Sequence, residues 1–135
     1  MLLKNNEVVD ASSSNYTITK VGNARSHVSS PFPWNTTGYG SLHFDGSGDR
    51  AIAKGSNLAI GTNNFTIEYW LYAKNFDTVG TVWDNRNDGE NVSMLSNNTT
   101  NGEPRLYANA GYRITANPPM NENEWNHIAF QRASN

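Results

Sequence analysis

Ser41-Leu42-His43-Phe44-Asp45-Gly46-Ser47-Gly48-Asp49, followed by Phe65-Thr66-Ile67-Glu68-Tyr69-Trp70-Leu71-Tyr72, decides how this chain is read. Side chains alternate along an extended strand, so Phe65, Ile67, Tyr69 and Leu71 share one face, while Thr66, Glu68, Trp70 and Tyr72 share the other. The first face is apolar and the second is aromatic with polar tips. The residue types suit a pleated surface, and Asn63-Asn64 before and Lys74-Asn75 after act as breakers, so a strand is expected over 65–72. Gly46 and Gly48 can take positive φ without a Cβ penalty, and Asp45 and Asp49 can bind nearby backbone amides. The segment therefore predicts a tight turn between strands at 42–44 and 51–53. A sharper reading gives Asp45 and Asp49 to a Ca²⁺ ion, which needs six to eight oxygen ligands. The spacing is not that of an EF-hand loop.

Working outward, short strands are expected at 16–21, 24–28, 78–83, 91–96, 105–109, 112–115 and 125–132, separated by clusters of Asn and Gly. Gly22-Asn23 suits a tight hairpin turn, with 24–28 as the return strand. Ser30-Pro31-Phe32-Pro33-Trp34 forces an extended linker, because each proline fixes its own φ and restricts its predecessor. No segment carries a helical apolar stripe over ten or more residues. Short strands at roughly ten-residue spacing describe an all-β fold, an antiparallel two-sheet β-sandwich of jelly-roll type.

The 135 residues suit one domain of ordinary size. Within it, residues 1–40 are expected to form a strand hairpin and a Pro/Trp linker packed on a sandwich spanning 41–135. Charged residues make up 16%, against about 25% in typical domains, so Asn, Ser, Thr and Gly supply the polarity. A net charge of −2 with scattered Lys and Arg gives no basic patch for nucleic acid. With no cysteine there is neither a disulfide framework nor a thiolate metal site. Met1-Leu2-Leu3-Lys4-Asn5-Asn6 has no apolar core of signal-peptide length, and no window approaches the roughly 20 apolar residues of a membrane span. Neither nucleic acid binding nor membrane insertion is expected.

Three motifs in order carry a family resemblance: Ser41 to Asp49, then Ile60-Gly-Thr-Asn-Asn-Phe-Thr-Ile-Glu-Tyr-Trp-Leu-Tyr72, then Trp125-Asn-His-Ile-Ala-Phe-Gln-Arg132. Together they resemble the laminin-G-like, concanavalin-A-like jelly roll. The upstream run from Val9 to Asn23, leading through Ser30-Pro31-Phe32, is similar to the version found in tailed-phage virion proteins. The resemblance implies a two-sheet jelly roll that binds glycans or proteins through rim loops, or serves as a structural module. Some relatives bind Ca²⁺ at the rim, and one branch comprises glycoside hydrolases. Arg50 departs from the pattern, since an aromatic commonly follows the glycine-rich turn. The family also continues with further strands after the position of Asn135. On that comparison the sandwich is expected to be incomplete at its C-terminus and to associate with itself or with another chain.

Glycoside cleavage needs two carboxylates about 5 to 9.5 Å apart. Glu68 stands alone on its strand, and Asp84, Asp88 and Glu90 lie in or beside an Asn/Gly turn, so hydrolysis is disfavoured. His27, His43 and His127 are far apart in sequence and lack zinc-ligand spacing. Trp70 and Trp125, within strands, are read as core. Trp83 opens the loop Asp84-Asn85-Arg86-Asn87, and Trp34 lies in the proline linker. An exposed indole beside amides and carboxylates can stack on a sugar ring, so these six residues form the expected carbohydrate site.

The functional expectation is a non-catalytic module of a phage virion protein, such as a fibre, tail-associated or head-decorating protein. Its expected partners are other virion proteins or cell-surface glycans. The alternative is a secreted bacterial carbohydrate-binding or adhesion module working outside the cell.

Overall fold

In the computed structural model every element is a strand. The structure describes residues 2–4, 7–32, 40–54, 60, 63–85, 94–108 and 110–133. Among them no helix occurs, and none is long and apolar enough to cross a membrane. All strand pairs are antiparallel. The all-β antiparallel sandwich anticipated from the sequence is the observed class. Residues 1–57 and 58–135 form two compact units.

In the first unit, β1 (Leu2–Lys4) pairs with β2 (Glu7–Val9), a hairpin the sequence did not announce. Asp10 then organises a loop. One carboxylate oxygen accepts the Ser12 N–H at 2.9 Å, and the other accepts the Ser12 hydroxyl and the Tyr16 N–H, both at 2.8 Å. These bonds, the Ser12 backbone N–H foremost, hold the Asp10 carboxyl below its ordinary range.

The next four strands are β3 (Ile18–Val21), β4 (Arg25–His27), β5 (Ser41–His43) and β6 (Arg50–Ala53). Their pairing corrects the sequence reading. β3 pairs with β6 and β4 with β5, so neither Gly22-Asn23 nor the acidic glycine turn closes a hairpin. Instead the chain from Ile18 to His27 lies antiparallel to the chain from Ser41 to Ala53, as one ribbon bent at a corner. Val21 is opposite Arg50 and Arg25 is opposite His43, so three residues on one side of the corner face six on the other. Gly22 (φ 74°), Gly46 (φ 87°) and Gly48 (φ 73°) supply the left-handed backbone that the bend requires. The turn signals were real, but they mark a bend. Because β5 and β6 take their partners from 18–27, they belong to the first compact unit.

In the second unit, β7 (Phe65–Tyr72) and β12 (Trp125–Arg132) pair over eight residues, from Phe65 opposite Arg132 to Tyr72 opposite Trp125. Opposite this ribbon stands a meander of β8 (Thr81–Asp84), β9 (Met94–Asn98), β10 (Pro104–Ala108) and β11 (Gly111–Thr115), in the order β11-β10-β9-β8. Leu106 from the meander meets Ile128 and Phe130 from the ribbon, all nearly fully buried. Ile67, Tyr69, Leu71 and Trp83 pack around them. Two sheets therefore cover a shared apolar layer, the arrangement expected of a sandwich. Strand β7 alternates half-buried and exposed from Phe65 to Tyr72, the two faces read from its sequence.

Loop contacts pin this unit. Phe76 is buried, its N–H donates to Glu122 Oε1 at 3.1 Å, and the Asn123 N–H donates to the Ala73 carbonyl at 2.8 Å. Asn98 is buried at the end of β9. Its Oδ1 accepts the Gly80 N–H at 2.9 Å, and its Nδ2 donates to the carbonyls of Thr78 and Thr99 at 3.2 and 2.7 Å.

Candidate functional site

The loop centred on Trp83 does not present an open indole. On β8 Trp83 is the half-buried position, and it packs against the cluster of Leu106, Ile128 and Phe130. Thr81, Val82 and Asp84 are exposed, and past an irregularity in the pairing with β9 between Thr81 and Trp83 the indole turns inward. Asn85 is half-buried, and Arg86, Asn87 and Trp34 lie outside the described residues. Of the two tryptophans expected to meet a ligand, Trp83 is thus half-buried against the core cluster.

The reverse holds for the ribbon. Trp70 is 43% exposed and Tyr72 44% exposed, both on the face of β7 turned away from the core. Register brings their partners from β12 directly opposite: His127 faces Trp70, and Trp125 faces Tyr72. The Trp70 and His127 rings stack at 4.9 Å with a 32° tilt, while Tyr72 and Trp125 meet edge to face at 5.6 Å. Both geometries are favourable for aromatic pairs. Glu68, one alternation further, places a carboxylate oxygen 3.8 Å from His127 Nε2. Beyond it Glu68 stands opposite Ala129, and Thr66 opposite Gln131.

This outer face therefore carries two aromatic ranks followed by two hydrogen-bonding ranks. Sequence reasoning assigned Trp70 and Trp125 to the core because an indole buries so much area. The signal that finds them was already present, since alternation in 65–72 sets Trp70 and Tyr72 beside Thr66 and Glu68. Beside the platform runs a groove of about 500 Å³ between 116–120 and β12, whose wall includes Trp125 and His127. Asn126 fixes that wall: its Oδ1 accepts the Asn121 N–H at 3.0 Å, and its Nδ2 donates to the Asn121 carbonyl at 2.9 Å.

A second aromatic cluster lies on the meander. Tyr107 and Tyr112 meet edge to face at 5.3 Å, and the Arg105 guanidinium sits 4.2 Å from the Tyr112 ring centre. Arg105 also donates to the Asn98 carbonyl at 3.1 Å, which ties it to the end of β9.

At the bent corner, Asp45 and Asp49 act on the opposing strand. Asp49 Oδ1 accepts the Asn23 N–H, and its Oδ2 accepts the Asp45 N–H at 2.8 Å. Asp45 Oδ1 accepts the Ser47 N–H at 2.8 Å, and its Oδ2 accepts the Asn23 side-chain N–H at 3.1 Å. The Asn23 amide, then the Ser47 backbone, holds the Asp45 carboxyl below its ordinary range. Every oxygen of the pair thus faces an N–H donor, and no group of three metal-binding side chains occurs among the described residues. In this arrangement the two carboxylates fasten the corner.

Comparison with curated proteins and with solved structures gave no match. A family model does match, over residues 45–135, from the acidic corner through the whole of the ribbon and meander. The chain belongs to the concanavalin A-like lectin/glucanases superfamily.

Proposed function

We propose that this protein is a non-catalytic carbohydrate-binding module whose ligand lies on the outer face of the β7 and β12 ribbon. The observation that carries the reading is the pair of outward aromatic ranks, exposed Trp70 with His127 and exposed Tyr72 with half-buried Trp125, in a member of a lectin superfamily. Aromatic faces receive the C–H surface of a sugar ring, while Glu68, Thr66 and Gln131 offer hydrogen bonds to its hydroxyls. Exposed apolar surface rimmed by polar groups is a usual mark of a binding site.

Glycoside hydrolysis needs a second carboxylate across the scissile bond. Glu68 is the single acidic residue on the outward positions of β7 and β12. The similarity of the run from Val9 to Asn23 to tailed-phage virion proteins supports a particle-surface setting, in a fibre, tail-associated or head-decorating protein that serves adsorption. Neighbouring capsid or tail genes are expected for that setting, and secretion genes would favour a bacterial adhesion module. The test of the function itself is a glycan array with wild type and Trp70→Ala. Binding by the first and not the second is expected; no binding to any glycan would overturn the reading.

A further inference from the structure

We infer that the ligand is a linear glycan of at least three units, free of carboxylate and sulfate groups, running along the strands of the ribbon. This rests on the carbohydrate reading of the same face. The four ranks are Tyr72/Trp125, Trp70/His127, Glu68/Ala129 and Thr66/Gln131. Successive ranks lie two residues apart, so the four span about 20 Å along the strands. The first three ranks, from Tyr72/Trp125 to Glu68/Ala129, span about 13 Å, a stretch that takes about three hexose units laid end to end, whereas a single ring covers one rank.

The ranks differ in chemistry, and this sets the order of contacts. The first two are aromatic and offer stacking surface to two consecutive rings. At the third, Ala129 is small and leaves a step beside the Trp70 and His127 stack, bounded by Glu68. A third ring seated there presents its hydroxyls to the Glu68 carboxylate and to the amide of Gln131. Glu68 is well exposed, its side chain 65% accessible, so its oxygens can accept from a ligand.

Charge decides the sugar class. The outward positions of the two strands hold one carboxylate, Glu68, and neither Lys nor Arg. A uronate or sulfate at the third rank would meet that carboxylate with no Lys or Arg on the outward positions to offset it, and like charges brought together disfavour binding. Neutral or amino-bearing rings meet no such penalty. Branching is disfavoured as well, because a ribbon two strands wide offers one row of aromatic pairs.

The experiment uses linear gluco-, manno-, galacto- and xylo-oligosaccharides of one to six units, with galacturonate and sulfated galactose chains of matching length. They are printed on an array, and the bound series is followed by calorimetry with wild type and Glu68→Gln. Affinity in a neutral series is expected to rise at least tenfold from one unit to three and then level. Acidic chains are expected to bind at least tenfold more weakly than neutral ones, with Glu68→Gln narrowing that gap. A monosaccharide that binds as tightly as its trisaccharide would overturn the alignment along the strands. Acidic chains that bind as well as neutral ones, or an unchanged gap in Glu68→Gln, would overturn the charge selection. If no glycan of either kind binds, the failure belongs to the carbohydrate reading itself.

Discussion

Trp70 and His127 stand directly opposite one another on β7 and β12, their rings stacked at 4.9 Å on the face that points away from the core. Trp83 is half-buried on the other sheet and packs on Leu106, Ile128 and Phe130. The two tryptophans should therefore respond oppositely to truncation. Trp70→Ala loses a cross-strand pair worth no more than about 1 kcal/mol of stability, but it should weaken glycan binding at least tenfold, about 1.4 kcal/mol. Trp83→Ala opens a cavity and should cost stability toward the lower part of the roughly 3–5 kcal/mol range for large aromatics. Urea melts beside calorimetric titrations separate the two. A stable Trp83→Ala protein that has lost binding would return the site to the β8 loop.

How far the sequence disclosed this arrangement depends on the kind of information each segment carries. Strands 65–72 and 125–132 were legible to the residue, because alternation and flanking breakers are local properties. The partners of 18–21 and 25–27 were not. A glycine turn states that the chain bends, whereas pairing depends on what arrives from 41–53, a non-local fact. The exposure of Trp70 has another cause. Composition says that a strand tryptophan belongs in a core, yet Trp70 lies on the face of β7 turned away from the buried cluster, so parity outranks hydrophobicity there.

The corner supplies the second prediction. Gly22 has φ 74°, and a Cβ at that position would run into Oδ1 of Asp49, the oxygen that binds the Asn23 N–H. Gly22→Ala should destabilise the protein by about 1–3 kcal/mol through backbone strain. Asp49→Ala in the same background should recover little, since it removes the clash together with two hydrogen bonds. Equal melting temperatures for wild type and Gly22→Ala would show that the bend does not depend on this close approach.

Acid should loosen the same corner. The Asn23 amide and the Ser47 N–H hold the folded Asp45 carboxyl below its usual value of 3.8, so the unfolded chain takes up the proton first. Its stabilising contribution is then complete above that value and is lost as pH falls through the lower, folded one. The stability gap between wild type and Asp45→Asn should narrow below about pH 4. A gap constant down to about pH 2 would show that Asp45 is not differentially titrated.

Calcium gives an independent reading of Asp45 and Asp49. An N–H donor at each of their four oxygens already fixes both carboxylates in the corner. Melting temperatures with millimolar Ca²⁺ and with a chelator should agree. Binding to the folded state alone would raise stability by RT ln(1 + [L]/Kd). A calcium-dependent rise that disappears in Asp49→Asn would make the corner a metal site.

Asn98 tests whether the meander depends on a single buried amide. Its Oδ1 accepts from Gly80, and its Nδ2 donates to the carbonyls of Thr78 and Thr99, so one side chain fastens the approach to β8 onto the end of β9. Asn98→Asp keeps the shape and the acceptor, but it turns an oxygen toward two carbonyl oxygens and buries a carboxylate, while Arg105, the cation beside it, is bonded to the backbone carbonyl of residue 98. Leaving such groups unsatisfied costs about 1–3 kcal/mol, and more where charge is involved. A loss above about 2 kcal/mol is therefore expected for Asn98→Asp near neutral pH. Lowering the pH protonates the carboxyl, which can then donate to one of the two carbonyls, so the deficit should shrink. Denaturant melts of both proteins at neutral and acid pH check this, and a deficit independent of pH would show that lost packing, not the reversed hydrogen bond, is responsible.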